Sequence, residues 1–257
     1  MLSKNLIKHI TSLHQGKYQE IHHEFIAEGP KIVGELLHSR FKIKQLCATG
    51  PWLDENRSLT AGTTAEIFRV SYPELSRISA LTSPNQVLAV FEITQPAEKC
   101  SIAEDELVLA LEDIRDPGNL GTIVRIADWF GITKIICSLT SVDIYNPKSV
   151  QATMGSLARV EIIYGDIAAF IHTIPATLDV FAAALEGENI YTAELPKGGM
   201  IIIGNESHGI SPEVLKLAGR RLFIPPFQKQ QSADLHAESL NASVAAAILC
   251  YEFRKRV

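Results

Sequence analysis

In the second half of the chain, apolar positions come in short unbroken runs. They lie at Leu107–Leu111, Lys134–Cys137, Val160–Ile163, Val180–Leu185, Met200–Ile203 and Arg221–Ile224. Stretches of helical spacing lie between most of them, at Leu120–Phe130, Pro147–Leu157 and Pro212–Leu217. A strand without a polar side is one buried on both faces, so this alternation predicts a parallel sheet covered by helices above and below. A closing helix is predicted from Ser239 to Arg256, with Leu240, Val244, Ile248 and Tyr251 on one stripe. That stripe suits packing against a partner or against the chain's own core.

Residues 1–95 have a different texture, with short pieces of both periodicities. Helices are predicted at Lys4–Leu13, Pro30–His38 and Tyr72–Ser79, and strands at Glu24–Ala27, Ile43–Ala48, Thr64–Val70 and Val87–Ile93. Thr94–Asp105, with Pro96 and a group of acids, reads as a linker. The expected division is a first domain over 1–98 and a second over 99–257. No internal repeat or low-complexity tract interrupts either.

Composition narrows the classes. Of 257 residues, 46% are hydrophobic and 21% charged, ample for a core. No apolar run approaches the ~18–20 residues that span a bilayer. Met1–Ile10 carries Lys4, Lys8 and His9 and lacks the apolar core of a signal peptide, so a cytoplasmic protein is expected. Cys47, Cys100, Cys137 and Cys250 are far apart, show no metal-ligand spacing and read as isolated buried thiols; no metal is expected. The net charge of −5 argues against indiscriminate coating of nucleic acid. Residues 1–100 hold 11 Lys/Arg against 10 Asp/Glu, so the excess acid lies beyond them. Lys216, Arg220, Arg221 and Lys229, and then Arg254, Lys255 and Arg256, leave room for a local basic face.

Three strand-to-loop junctions carry the candidate chemistry. In the first, Leu111 is followed by Asp116-Pro117-Gly118-Asn119, with Asn119 where a helix begins and Arg125 six residues on. In the second, Met200–Ile203 runs into Gly204-Asn205-Glu206-Ser207-His208-Gly209. Ligands of open α/β sheets collect at the carboxyl ends of strands, and glycine there lets backbone approach them. There is no Lys-Ser/Thr pair of a phosphate loop and no G-x-G-x-x-G, so a nucleotide-like ligand needs another kind of site. In the third, Leu222-Phe223-Ile224-Pro225-Pro226 leads through a polar stretch to Ser239-Leu240-Asn241. Ser239 is a natural N-cap for the closing helix, whereas Asn241 in its first turn is a poor helix former and suggests another task.

Together, these stretches resemble the three motifs of the SpoU family of RNA ribose methyltransferases, also called the TrmH group, within the SPOUT superfamily. The resemblance covers residues 105–257, including Asp128-Trp129-Phe130-Gly131 and Asn146-Pro147-Lys148. Residues 1–95, with Glu24–Gly29, resemble more loosely the small α/β substrate-binding domain, similar to a ribosomal-protein RNA-binding fold, of many members. The implied fold is α/β: a parallel-sheet catalytic domain whose carboxyl-terminal part forms a trefoil knot, plus the small amino-terminal domain. Chain-threading rules alone would not suggest the knot. The implied reaction moves a methyl group from S-adenosylmethionine to a ribose 2′-hydroxyl. The implied partners are structured RNA, with 23S ribosomal RNA favoured over transfer RNA, and a second copy of the chain in a homodimer. No membrane partner is expected.

Carried over by motif position, Arg125 is the catalytic arginine, Asn119, Glu206, Ser239 and Asn241 shape the site, and Gly204, Ile224 and Leu240 contact the donor. Arginine stays protonated in proteins, so it is better suited to clamp a phosphate or stabilise negative charge than to act as a base. Glu206 is a second candidate base. The sequence departs from the family pattern after Ile224-Pro225-Pro226, where residues 226–238 form a longer loop without the usual glycine, expected to be mobile and to offer Lys229 and glutamines to RNA. The alternatives are an inactive RNA-binding protein on the same scaffold, against which the full set of motif residues argues, and a transferase acting on a base.

Overall fold

The computed structural model describes residues 2–94, 101–226 and 239–255. It divides the chain into two compact units: Met1–Gln95 together with Asp143–Arg159, and Pro96–Val142 together with Val160–Val257. The excursion 143–159 thus groups with the first unit, whereas the sequence places it in a continuous second domain starting at residue 99. Packing explains the difference. The Tyr145 ring lies 4.8 Å from the Phe25 ring, and the buried Gln19 donates to the Tyr145 carbonyl at 2.9 Å. Sequence periodicity does not reveal such long-range contacts.

The first unit begins with helices α1 (Lys4–Ser12) and α2 (Gly16–His22). It continues with strand β1 (Glu24–Glu28), α3 (Pro30–Leu37), β2 (Ile43–Ala48), α4 (Gly50–Glu55), α5 (Arg57–Thr60), β3 (Glu66–Arg69), α6 (Tyr72–Ser76) and β4 (Val87–Glu92). The sheet order is β1-β4-β2-β3, antiparallel except for the β2–β3 pair. Its core gathers Ile10, Leu13, Ile26, Cys47, Leu75, Leu88 and Val90. Helices α2, α4 and α5 are additional to those expected; each spans two turns or fewer, too short to display a 3.6-residue stripe.

The second unit contains β5 (Leu107–Leu111), α7 (Pro117–Trp129) and β6 (Lys134–Ser138). After α8 (Pro147–Thr153) and a 3-10 turn at Ser156–Ala158, both in the excursion, come β7 (Glu161–Gly165), α9 (Ile167–Ile171), β8 (Val180–Asn189), β9 (Gly199–Ile203), α10 (Pro212–Leu217), β10 (Arg220–Phe223) and α11 (Ala242–Arg254). The expected single helix at 147–157 breaks where Met154 and Gly155 take left-handed backbone, φ 52° and 96°.

All pairings in the six-stranded sheet β10-β8-β9-β5-β6-β7 are parallel. Every residue of the central strands β5 and β9 is buried, which is what their unbroken apolar runs require. One face, through Val108, Ala110, Met200 and Ile202, packs with Ile167 and Val214. Each such aliphatic side chain contributes ~1.5–3 kcal/mol by leaving water. Helix α11 packs on α7, and Arg254 donates to the Phe130 carbonyl at 3.0 Å. Its inward side is Ala242, Ala246, Leu249, Cys250 and Phe253, whereas Val244 and Tyr251 of the expected stripe stay 46% and 55% exposed. That stripe is therefore not this chain's core. No helix among the described residues is long and apolar enough to cross a membrane.

Candidate active site

The site is built at the carboxyl end of the central strands. Beyond β5, Asp116 caps α7 by accepting from the Asn119 amide at 2.7 Å, and Pro117 sets the helical φ of the first turn. Asn119 is thus the third residue of a fixed helix start, and its side chain is free to reach outward. It donates from Nδ2 to Glu206 Oε1 at 2.5 Å.

Glu206 comes from the loop after β9. This loop turns back so tightly that a Cβ on Gly204 would lie 2.3 Å from the Gly209 carbonyl carbon and 2.5 Å from the Ile210 nitrogen. Only glycine fits there. Paired bonds between Asn205 and Gly209, at 3.1 and 2.8 Å, close the loop, and Gly209 sits at φ 69°. Asn205 braces it: Oδ1 accepts from the Ser207 and His208 amides, and Nδ2 donates to the Asp113 carbonyl at 2.9 Å. Glu112 adds a second tie by accepting from the Ser211 amide at 2.8 Å.

The third contribution comes from the start of α11. Asn241 is the N-cap, its Oδ1 accepting from the Ser243 and Val244 amides, while its Nδ2 donates to Asn119 Oδ1 at 3.0 Å. A directed chain results, Asn241 to Asn119 to Glu206, with the carboxylate as terminal acceptor. Ser239 touches it through a long 3.4 Å bond to the Glu206 carbonyl.

Two expectations change. The cap of α11 is Asn241, not Ser239, because the first helical residue is Ala242; Ser239 lies outside the helix. The odd choice of asparagine is then explained, since one amide both caps and reaches Asn119. Arg125, by contrast, is not drawn into this chain. It is exposed on α7 and forms no hydrogen bond or ion pair with another described residue. Gly204, Ile224 and Leu240 all fall outside helices and strands, just past β9, just past β10 and just before α11. Of the long loop, only Pro226 is described; residues 227–238, with Lys229, lie outside the described residues, as do Cys100 and Arg256.

Sequence reasoning missed Asp116, Asn205 and Glu112 as supports. The Asp-Pro start was a readable capping signal for Asp116. An asparagine opening a glycine-closed loop was a weaker one for Asn205. Nothing local marked Glu112.

Residues 106–251 match the SpoU rRNA Methylase family, and residues 4–89 match the MRM3-like substrate binding domain. The 23S rRNA (guanosine(2553)-2′-O)-methyltransferase RlmP of Bacillus subtilis is 29% identical over 252 residues, 96% of this chain and 95% of its own. A TrmH-family protein from Porphyromonas gingivalis has a solved structure covering 100% of both chains at 38% identity, TM-score 0.85. An AdoMet-bound rRNA methyltransferase from Sinorhizobium meliloti aligns with 100% of this chain and 97% of its own, at 31% identity and TM-score 0.87.

Proposed function

The chain belongs to the SpoU rRNA methylase family, and from that premise we propose how its second unit methylates a ribose 2′-hydroxyl of ribosomal RNA. The observation that carries the reading is the chain of hydrogen bonds joining all three motifs, Asn241 to Asn119 to Glu206. A pure binding protein has no need of such an arrangement.

S-adenosylmethionine, when bound, supplies an electrophilic methyl group on a sulfonium. The residues present fit it: peptide groups at Gly204, Ile224 and Leu240 stand outside regular structure, and Leu240 keeps its apolar side chain 45% exposed next to Ser239, which bonds the Glu206 loop. Amphipathic nucleoside ligands are held by such apolar surface with a few fixed polar groups. Asn119, Glu206, Ser239 and Asn241 shape and rigidify the pocket's rim. Arg125 clamps an RNA phosphate with its planar fork, a role its exposure and lack of partners among the described residues support.

The first unit, Met1–Gln95 together with Asp143–Arg159, selects the RNA, most simply 23S ribosomal RNA, as the match of residues 4–89 to a substrate binding domain supports. It is a small α/β RNA-binding domain of the ribosomal-protein kind. The second unit, Pro96–Val142 together with Val160–Val257, carries the all-parallel sheet, and a trefoil knot in its carboxyl-terminal part is what membership of the family implies. Two copies form a homodimer that covers the apolar side chains left exposed on α7 and α11, Trp129 (85%), Val244 and Tyr251. Three free buried thiols, Cys47, Cys137 and Cys250, accord with a reducing cytoplasm.

The test is methyl transfer from labelled S-adenosylmethionine to 23S ribosomal RNA and to transfer RNA, followed by mass spectrometry of the nucleosides. Label on the ribose of 23S RNA is expected. Label on a base, or on transfer RNA alone, would overturn the reading, and absence of donor binding by calorimetry would leave only an inactive scaffold.

A further inference from the structure

An RNA as large as a ribosomal one has to be held well beyond the single ribose that reacts, and the amino-terminal helices carry a feature suited to that task. Helices α1 and α2 border a groove of about 620 Å³ whose lining includes Asn5, Lys8, His9, Gln15, Tyr18 and His22. That volume falls within the ~300–1,000 Å³ of small-ligand sites. Charge here runs against that of the chain. Residues 4–22 hold Lys4, Lys8 and Lys17 against Glu20 alone, whereas the whole protein carries −5.

Two rings form the aromatic surface of the groove. Tyr18 and His22, about one turn apart on α2, lie within 14° of parallel with centroids 6.5 Å apart. His9 of α1 meets His22 edge-on at 4.9 Å, and its Nε2 is held 2.8 Å from Glu24 Oε2, so His22 has a fixed neighbour. Helix α2 is itself pinned on its inner side. The buried Gln19 donates to the Leu13 and Tyr145 carbonyls at 2.8 and 2.9 Å, while Tyr18 stays half-buried and His22 exposed. The rings are thus placed before any ligand arrives, which lowers the entropy lost on binding.

Around them the polar ends are uncommitted. The side chains of Asn5, Lys8 and Gln15 are exposed and form no hydrogen bond or ion pair with another described residue. Aromatic faces, two amides and an ammonium are the parts that hold an unpaired nucleotide: the base stacks, the amides bond its open edge and the cation meets its phosphate. Bases inside a duplex have their faces covered by their neighbours, so such rings select single strand. We propose that the groove between α1 and α2 is a subsite for one unpaired nucleotide of the RNA substrate, stacked on Tyr18 and His22; this rests on the family reading above.

The first test is zero-length ultraviolet cross-linking of the full chain to 23S ribosomal RNA, with the adduct located by mass spectrometry. An adduct joining Tyr18 or His22 to an unpaired nucleotide is expected. Its yield should fall with excess of a short mixed-sequence oligoribonucleotide and not with the same strand in duplex. Absence of an adduct in the groove, or equal competition by the duplex, would overturn the proposal. The second test compares Y18A, Y18F and H22A by affinity for 23S RNA, donor affinity and single-turnover rate at saturating RNA. Loss of a ring that stacks a base weakens binding roughly 5- to 150-fold, so Y18A should bind RNA at least about fivefold more weakly. Y18F, which keeps the ring, should stay within about twofold, as should every donor affinity, with saturating rates within about threefold. H22A, at an exposed position, should show the same loss as Y18A and covers the case in which Tyr18 is needed for folding. RNA affinity within about twofold in both Y18A and H22A, or Y18F as weak as Y18A, would overturn the subsite. Wild type that cross-links through the groove yet labels no ribose would instead sink the family reading and leave the subsite standing.

Discussion

Replacing Asn241 separates two jobs that the structure gives to one side chain. In Asn241→Ala, α11 loses its cap, which costs ~1 kcal/mol. The 3.0 Å bond to Asn119 also goes, worth about 0.5–1 kcal/mol because water reaches the exposed Asn241 and replaces part of it. The total is about 1.5–2 kcal/mol. At ~2–4 °C per kcal/mol for a chain of this size, the melting temperature should fall by about 3–8 °C in differential scanning calorimetry. Asn241→Ser keeps an oxygen able to cap but is too short to reach Asn119. Its melting temperature should fall by only about 1–4 °C, the share of the lost Asn119 bond, since serine ranks with asparagine at an N-cap. Its methylation rate should nonetheless drop with that of the alanine variant. A double-mutant cycle with Asn119→Ala should show about 0.5–1 kcal/mol of coupling. An alanine variant melting within about 1 °C of wild type would refute the cap, and a serine variant of full activity would refute the link to Asn119.

Other outcomes follow from the same geometry. Gly204→Ala forces its loop apart and should weaken S-adenosylmethionine binding at least tenfold, ~1.4 kcal/mol, by calorimetry; unchanged affinity would contradict a donor contact there. Arg125→Ala should leave stability within ~0.5 kcal/mol, as surface substitutions do, yet make the salt dependence of RNA binding shallower by about one phosphate; near-normal turnover in Arg125→Lys would count against a bidentate clamp. Glu74 accepts from the Ser71 amide and hydroxyl and from the Leu2 amide, bonds that hold its carboxyl down to about 2. Its contribution to folding is thus present above the ordinary carboxyl value of 4.5 and is lost as pH falls toward 2, so urea unfolding should show wild type losing more stability over that window than Glu74→Gln. Val244→Glu should yield a monomer in analytical ultracentrifugation, whereas a monomeric wild type would dispose of the dimer.

The second unit's sheet was legible because strands buried on both faces write themselves as unbroken apolar runs, and all six lie within two residues of their expected starts. Sheet order was not legible, since nothing in the run Arg221–Ile224 says that it lies beside β8. The short helices of the first unit lacked the length to show a stripe. The roles of Ser239 and Asn241 were exchanged because propensity ranks side chains one at a time, while Asn241 is chosen for capping and reaching Asn119 at once. Motif positions named Asn119 and Glu206; their mutual bond, and the tie from Asn205 to the Asp113 carbonyl that braces the loop, are tertiary facts without a local signal.

The most direct measurement is ribose-methylation profiling of total RNA from cells with and without this protein. One 2′-O-methyl mark in 23S ribosomal RNA should vanish on its removal and return with the wild-type gene, but not with Asn119→Ala. An unchanged set of ribosomal ribose marks, or a lost mark on a base, would contradict the assignment of this site to ribose methylation.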